Sequence, residues 1–222
     1  MKAAGILLIA AWFAGAVVTP AHSGPIVDWD PAFFYEPGAT PYNSIAGSEM
    51  KIVGTVSKFD GPLAFLNPTM GTTEYTFFVH NLISTGTAPF PPFYITVYNG
   101  GNIEIYADNA KNATFAPLPS PLVPATFIDG TLILSGTMNN FNTQTNTITP
   151  HNTGVAEGNI SWTGGSLYDL VSQCPALFTG GLTWFPDVMI PGYLFRHDGK
   201  IDHECPTPTQ QGTWGRIKSI YR

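Results

Sequence analysis

The sequence predicts an all-β chain, an antiparallel β-sandwich or jelly-roll-like domain of about eight or nine strands with at most one short helix. Three observations carry that expectation. Stretches that alternate with a period of two recur along the chain and are rich in β-branched and aromatic residues. Glycine and proline number 23 and 20 in 222 residues, which leaves little room for long helices. Aromatic residues make up 13% and charged residues only 11%, the composition of a ring-filled core and not of a disordered acidic chain.

Taken in order, Met1 and Lys2 precede an apolar run over 3–18, Thr19-Pro20 ends it, and Ala21-His22-Ser23 offers small residues where a signal peptidase reads. A cleaved signal peptide over 1–23 and a mature start at Gly24 are expected. The apolar run is shorter than the roughly 20 residues that cross a bilayer as a helix. Residues 24–222 read as one domain. It opens with an irregular arm over 24–47, rich in Pro and aromatics such as Trp29, Phe33, Phe34 and Tyr35.

Strands follow from Glu49 to Phe59 and from Thr73 to Ile83. Phe93 to Tyr98, then Asn99-Gly100-Gly101-Asn102, then Ile103 to Tyr106 reads as a β-hairpin, because Asn-Gly supplies the positive φ of a tight primed turn. Residues 111–124 hold four prolines and predict a surface crossover. Alternation resumes over 126–138, the Asn/Thr-rich stretch 139–152 reads as a loop tip or weak edge strand, and 154–163 is again a strand. Leu167 to Gln173 offers the one helical turn. Short strands are expected over 176–183, 192–195 and 213–221.

Two cysteines, Cys174 and Cys205, are the whole complement. In an oxidising compartment they predict one disulfide. It closes a loop of about 30 residues and contributes about 3–4 kcal/mol in the chain-entropy picture.

The densest polar cluster runs from Arg196 to Cys205. Placed on a strand, Asp198, Asp202 and Glu204 share one face and form a possible Ca²⁺ site, against the alternative of a solvated turn held by Arg196 and Lys200. His197 and His203 match no zinc spacing, and Thr207 stands where a zincin motif needs its second His. No serine-hydrolase elbow occurs. His80, beside Phe78 and Leu82, reads as a core histidine, and His151 as a loop residue. Trp184, Tyr94 and Tyr98 are the rings expected to face solvent and stack on sugars.

A formal charge of −6 without a basic cluster argues against nucleic acid as a partner. Together these features predict an exported, extracellular or envelope protein. It acts as a non-enzymatic structural, adhesive or binding module, with carbohydrate or other envelope proteins as partners, no membrane span in the mature chain and no cofactor beyond the possible Ca²⁺. The alternative is a secreted polysaccharide hydrolase using carboxylates from separate strands, drawn from Glu74, Glu104, Asp129 and Glu157 and facing each other across a cleft. An outer-membrane barrel is disfavoured by the Pro-rich crossover and by strands apolar on both faces.

Overall fold

The computed structural model describes residues 23–68, 71–115, 125–148, 152–172 and 174–204. Among them are nine strands: β1 (Ser23–Tyr35), β2 (Glu49–Phe59), β3 (Glu74–Phe90), β4 (Phe93–Asn99), β5 (Asn102–Asp108), β6 (Thr131–Asn146), β7 (Thr153–Gly164), β8 (Ala176–Thr183) and β9 (Phe195–Glu204). One short helix, α1 (Tyr168–Val171), joins β7 to β8. The all-β content stands as expected.

The strands do not stack as two sheets, however. Every pairing is antiparallel, β2 also pairs with β3, β5 with β6, and β1 with β9, so the sheet closes on itself. The result is an up-and-down barrel of eight wall positions, which removes free sheet edges where a sandwich would leave four.

Two further expectations are corrected here. The arm over 24–47 is irregular only in its second half, because residues 23–35 form β1, which pairs with β2 on one side and β9 on the other and so seals the barrel. Its bulges and Pro25 and Pro31 hide the alternation that would have betrayed a strand. The Asn99-Gly100-Gly101-Asn102 hairpin does not form either. β4 and β5 run in the same direction, one after the other, each flanked by β3 and β6. They share one wall position interrupted by a bulge.

Gly100 and Gly101 do adopt positive φ, +69° and +121°, but both neighbouring edges are already taken by β3 and β6, so the chain continues instead of folding back. The same level of the wall holds Asn81 on β3 and Asn140 on β6, both also at positive φ. A crease therefore crosses three adjacent wall positions. On each, the residue facing the interior shifts by three instead of two: Val79 to Leu82, Tyr98 to Gly101, Met138 to Phe141. An extra residue flips every later side chain to the other face.

The interior is packed with rings. Trp29 lies 4.7 Å from Phe77 and 5.0 Å from Phe178, and Phe141 bridges Phe178 and Phe34 at 5.7 and 6.3 Å between ring centres. A second, smaller core sits outside the wall. Val53, Phe78 and Phe127 are buried there, with Ala113, Phe115, Ile128 and Tyr193 packed against them and Phe115 in tilted contact with both Phe33 and Phe127. This outer packing is why β2 and β3 read as apolar on both faces.

Outward positions on β2, β7 and β9 carry Lys58, Glu157 and Asp198, while Trp29, Phe34, Phe77 and Phe178 point in. Among the described residues, no helix is long and apolar enough to cross a membrane.

The crease makes a sharp prediction. Two residues, Gly-Ser, inserted between Gly100 and Gly101 would be absorbed by a free hairpin tip. In a wall strand, where Gly101 lies against Leu82 and Met138, the insertion is expected to cost more than about 2 kcal/mol in urea denaturation.

Candidate functional site

The cluster picked out by sequence, Arg196 to Glu204, is a strand and not a turn. β9 is sandwiched between β1 and β8, with Gly180 opposite Gly199 and Asp28 opposite Lys200. Alternation sorts its side chains. His197, Ile201 and His203 are buried, whereas Asp198, Lys200 and Asp202 look outward. The two acids share a face as expected, but Lys200 stands between them with its ammonium 2.9 Å from Asp202. Glu204 contributes no described side chain, and no group of three His, Cys, Asp or Glu among the described residues is arranged to hold a metal. The positive charge a Ca²⁺ would bring is here supplied by Lys200, with Arg196 paired to Asp30.

Beside these groups lies a shallow depression of about 260 Å³ lined by Asp28, Thr179, Gly180, Asp198, Gly199 and Lys200. Partial burial, with the charges of Asp30 and Asp28 added, raises the Asp198 carboxyl above its ordinary value, and Arg196 partly opposes the shift. Here a sequence-selected acid, Asp198, a second acid, Asp28, and a depression coincide.

Two of the histidines, His197 and His203, serve the core. The indole N–H of Trp29 donates to Nδ1 of His197 at 3.1 Å, so the imidazole carries its proton on Nε2, which faces the Gly180 backbone without a well-formed hydrogen bond. The ring stacks on Phe178 at 5.2 Å, nearly parallel, in space left by Gly180 and Gly199. His203 meets the carbonyl of Val171 at 3.1 Å, under α1. His80 is on the outer face, stacked on Phe78 and 3.8 Å from Glu104. His151 lies outside the described residues.

Sequence reading missed the most elaborate polar constellation. Glu36, 4% exposed, follows β1 and turns its carboxylate into the barrel end. Ser44 and Ser48 donate to Oε1, and the Tyr98 hydroxyl donates to Oε2 at 2.9 Å. Ser84 shares a 2.5 Å hydrogen bond with Ser44, and Thr87 pairs with Thr96 at 2.7 Å. Burial and the adjacent carboxylate push the Tyr98 hydroxyl far above its usual range, so it stays a donor. These bonds fasten the 36–48 loop across the end of the barrel. A lone Glu between Tyr35 and Pro37 carries no spacing signal that could have revealed this.

The three rings expected to meet sugars are therefore otherwise employed. Tyr98 is 2% exposed and bound to Glu36. Trp184, 9% exposed, packs edge-on against Tyr42 and Phe195. Tyr94 leans on Tyr42 at 5.2 Å. Three of the four strand acids are likewise occupied. Glu74 accepts the amide of Ala113, Asp129 accepts from Asn112, and Glu104 accepts from Tyr106. Glu157 is exposed on β7.

No family model, no curated protein and no solved structure matches the chain. What can be said of the site comes from its own geometry.

Two predictions follow from the buried groups. Burial holds the His197 imidazole at about 3, against an ordinary 6.5. The unfolded chain takes up that proton first, so this stability is complete above about pH 6.5 and is lost as pH falls toward 3, by at most about 1.4 kcal/mol per unit. Denaturation at pH 7 and pH 4 should show a flatter pH dependence for His197→Phe than for the wild type, whatever their difference at pH 7. At the barrel end, Tyr98→Phe removes a donor to a buried carboxylate and is expected to cost about 1.5–3 kcal/mol, with Glu36→Ala costing at least as much. Because the two share one network, the double variant should lose less than the two single losses combined.

Proposed function

We propose that this chain is an exported, non-enzymatic binding or structural module, working from the outer surface of a rigid barrel. The observation that carries the reading is the filled axis. Trp29, Phe34, Phe77, Phe141, Phe178 and His197 occupy the space in which barrels of this size otherwise hold a small ligand. Glu36, the most elaborately bound carboxylate, is closed off beneath its own loop, and Glu74, Glu104 and Asp129 hold structure together. A module of this kind presents surface and stability, not a catalytic cavity.

The expected signal peptide supports export, and its residues before 23 lie outside the described part. The disulfide belongs to the same proposal. Cys174 is buried beside the start of β8, while Cys205 lies outside the described residues. β8 and β9 pair Ala176 with His203, and two steps further along that register come the sequence positions of the two cysteines.

One observation favours the hydrolase alternative, namely the depression holding Asp28 and Asp198, the latter with its carboxyl raised. A raised acid beside a second carboxylate is what general acid catalysis requires. Against it, Lys200 lines the same depression with its ammonium 2.9 Å from Asp202, and Arg196 opposes the shift on Asp198.

Incubating the mature chain with a panel of polysaccharides, and measuring retention and newly released reducing ends together, separates the two. Retention without product is the expected outcome. Release of reducing ends that Asp198→Asn abolishes would replace the module reading with the hydrolase.

A further inference from the structure

Beyond the crease the barrel changes character. From 81 to 103, and again from 130 to 156, the sequence contains no Asp, Glu, Lys or Arg. The fold brings these two stretches together, because β4 lies between the second halves of β3 and β6, and β6 borders the start of β7. After the parity shift the interior here is lined by the hydroxyls of Ser84, Thr96, Thr143 and Thr145, and apolar groups face out. Phe90 is 63% exposed and Phe93 37%, with Val97 and Val155 also outward.

The rings do not stand alone. Phe93 is paired with Phe90 on one side and Asn146 on the other, Ile95 with Gln144, and Val97 with Asn142. A strip of apolar groups thus runs alongside a ladder of amides, on strands about 4.8 Å apart. Next to the ladder is a depression of about 170 Å³ lined by Gln144, Asn146, Thr153, Gly154 and Val155. The Asn146 amide is already held by Thr153 and Ile148 at 3.2 and 3.3 Å. That of Gln144 makes no hydrogen bond to a described residue and opens onto the depression.

We propose that this wall binds a neutral polysaccharide, with Phe90 and Phe93 as the platform for apolar sugar faces and Gln144 as the hydrogen-bonding group for hydroxyls. The proposal rests on the binding-module reading and gives it a site and a ligand class. An uncharged wall penalises any ionic ligand, which would shed water from its charge and find no partner. The amide ladder argues against a lipid surface, where its donors and acceptors would be buried unpaired. Sugars match both halves, since each ring offers a C–H face and a hydroxyl edge. Of the rings expected from sequence to do this, Tyr98 and Trp184 are buried and Tyr94 is half-buried against Tyr42; Phe90 and Phe93 are ones the fold exposes.

The test is affinity electrophoresis of the full mature chain through gels holding xyloglucan, galactomannan or a mixed-linkage β-glucan, with alginate and polygalacturonate as charged controls. Suspended cellulose is assayed by pull-down. Phe93→Ala and Phe90→Ala replace exposed side chains, and unchanged thermal melts establish that they fold. At least one neutral polymer is expected to retard the wild type and to do so equally in 0.5 M NaCl, within about twofold. Either Phe variant should weaken that retardation about tenfold, and Gln144→Ala about three- to tenfold.

Retardation by the acidic polymers alone, or by none of the polymers, overturns the proposal. So does a wild-type chain that sediments as a dimer split by Phe93→Ala, or that binds phosphatidylcholine vesicles through the same rings. If a neutral polymer is held equally by all three variants, the wall assignment fails while the binding-module reading survives. If the polymer is cut, it is the module reading that fails.

Discussion

A closed barrel of eight strands has one demand that an open sheet does not: its axis must be filled by the side chains of its own wall. Here the demand is met by aromatic rings, and one polar contact fixes their arrangement. The indole N–H of Trp29 on β1 and Nδ1 of His197 on β9 join the two strands whose pairing closes the ring. His197 then presents a flat face to Phe178, and Trp29 reaches Phe77 across the interior. Neither heteroatom could be buried at low cost without the other. Gly180 and Gly199 are small because the imidazole lies against the wall at their level, so the composition of β8 and β9 is a consequence of the ring packing and not merely of turn chemistry.

Much of this was legible in the sequence wherever one period ran undisturbed. The segment from Ala176 to Thr183 is β8 with the expected ends, and the helical turn after Leu167 is present. Legibility failed where the phase of the alternation changed. Across Asn139 and Asn140 the inward face passes from Met138 to Phe141, and the following inward residues are threonines. Such a stretch reads as a loop tip or a weak edge strand, though it is the second half of a 16-residue strand in the barrel wall. At 99–101 the positive φ falls on Gly100 and Gly101 and not on Asn99, and local chemistry cannot say whether the two flanking strands pair with each other or with third parties. β9 is obscured differently: its outward acids and cations alternate with the inward polar rings of His197 and His203, leaving Ile201 as the one apolar side chain between them.

The site residues divide along the same line. Side chains were assigned correctly to one face where only alternation mattered, as for Asp198 and Asp202. They were assigned wrongly to solvent where tertiary partners decide, as for Tyr98, which Glu36 draws inward. Glu36 itself leaves no local signal, because its hydroxyl partners come from a loop and from β4, 8 to 62 residues away. A buried carboxylate satisfied by neutral donors leaves no charge pattern in the chain.

The distribution of charge around the barrel follows from the same geometry and divides its surface in two. The β9–β1–β2 side carries Asp28, Asp30, Lys51, Lys58, Arg196, Asp198, Lys200 and Asp202, many already paired. The opposite side, built by β4 and its neighbours, has none through two long stretches. A net negative chain could spread its charges over the whole exterior, since all outward positions are equally accessible to water. The crease lets one wall do otherwise: a single shift of phase, marked by Asn81, Gly101 and Asn140, puts hydroxyls under the capping loop and rings outside. Phase, not composition alone, therefore separates a surface for solubility from a surface for contact. At the crease each of the three adjacent wall positions takes a positive φ, which Asn and Gly tolerate better than other residues.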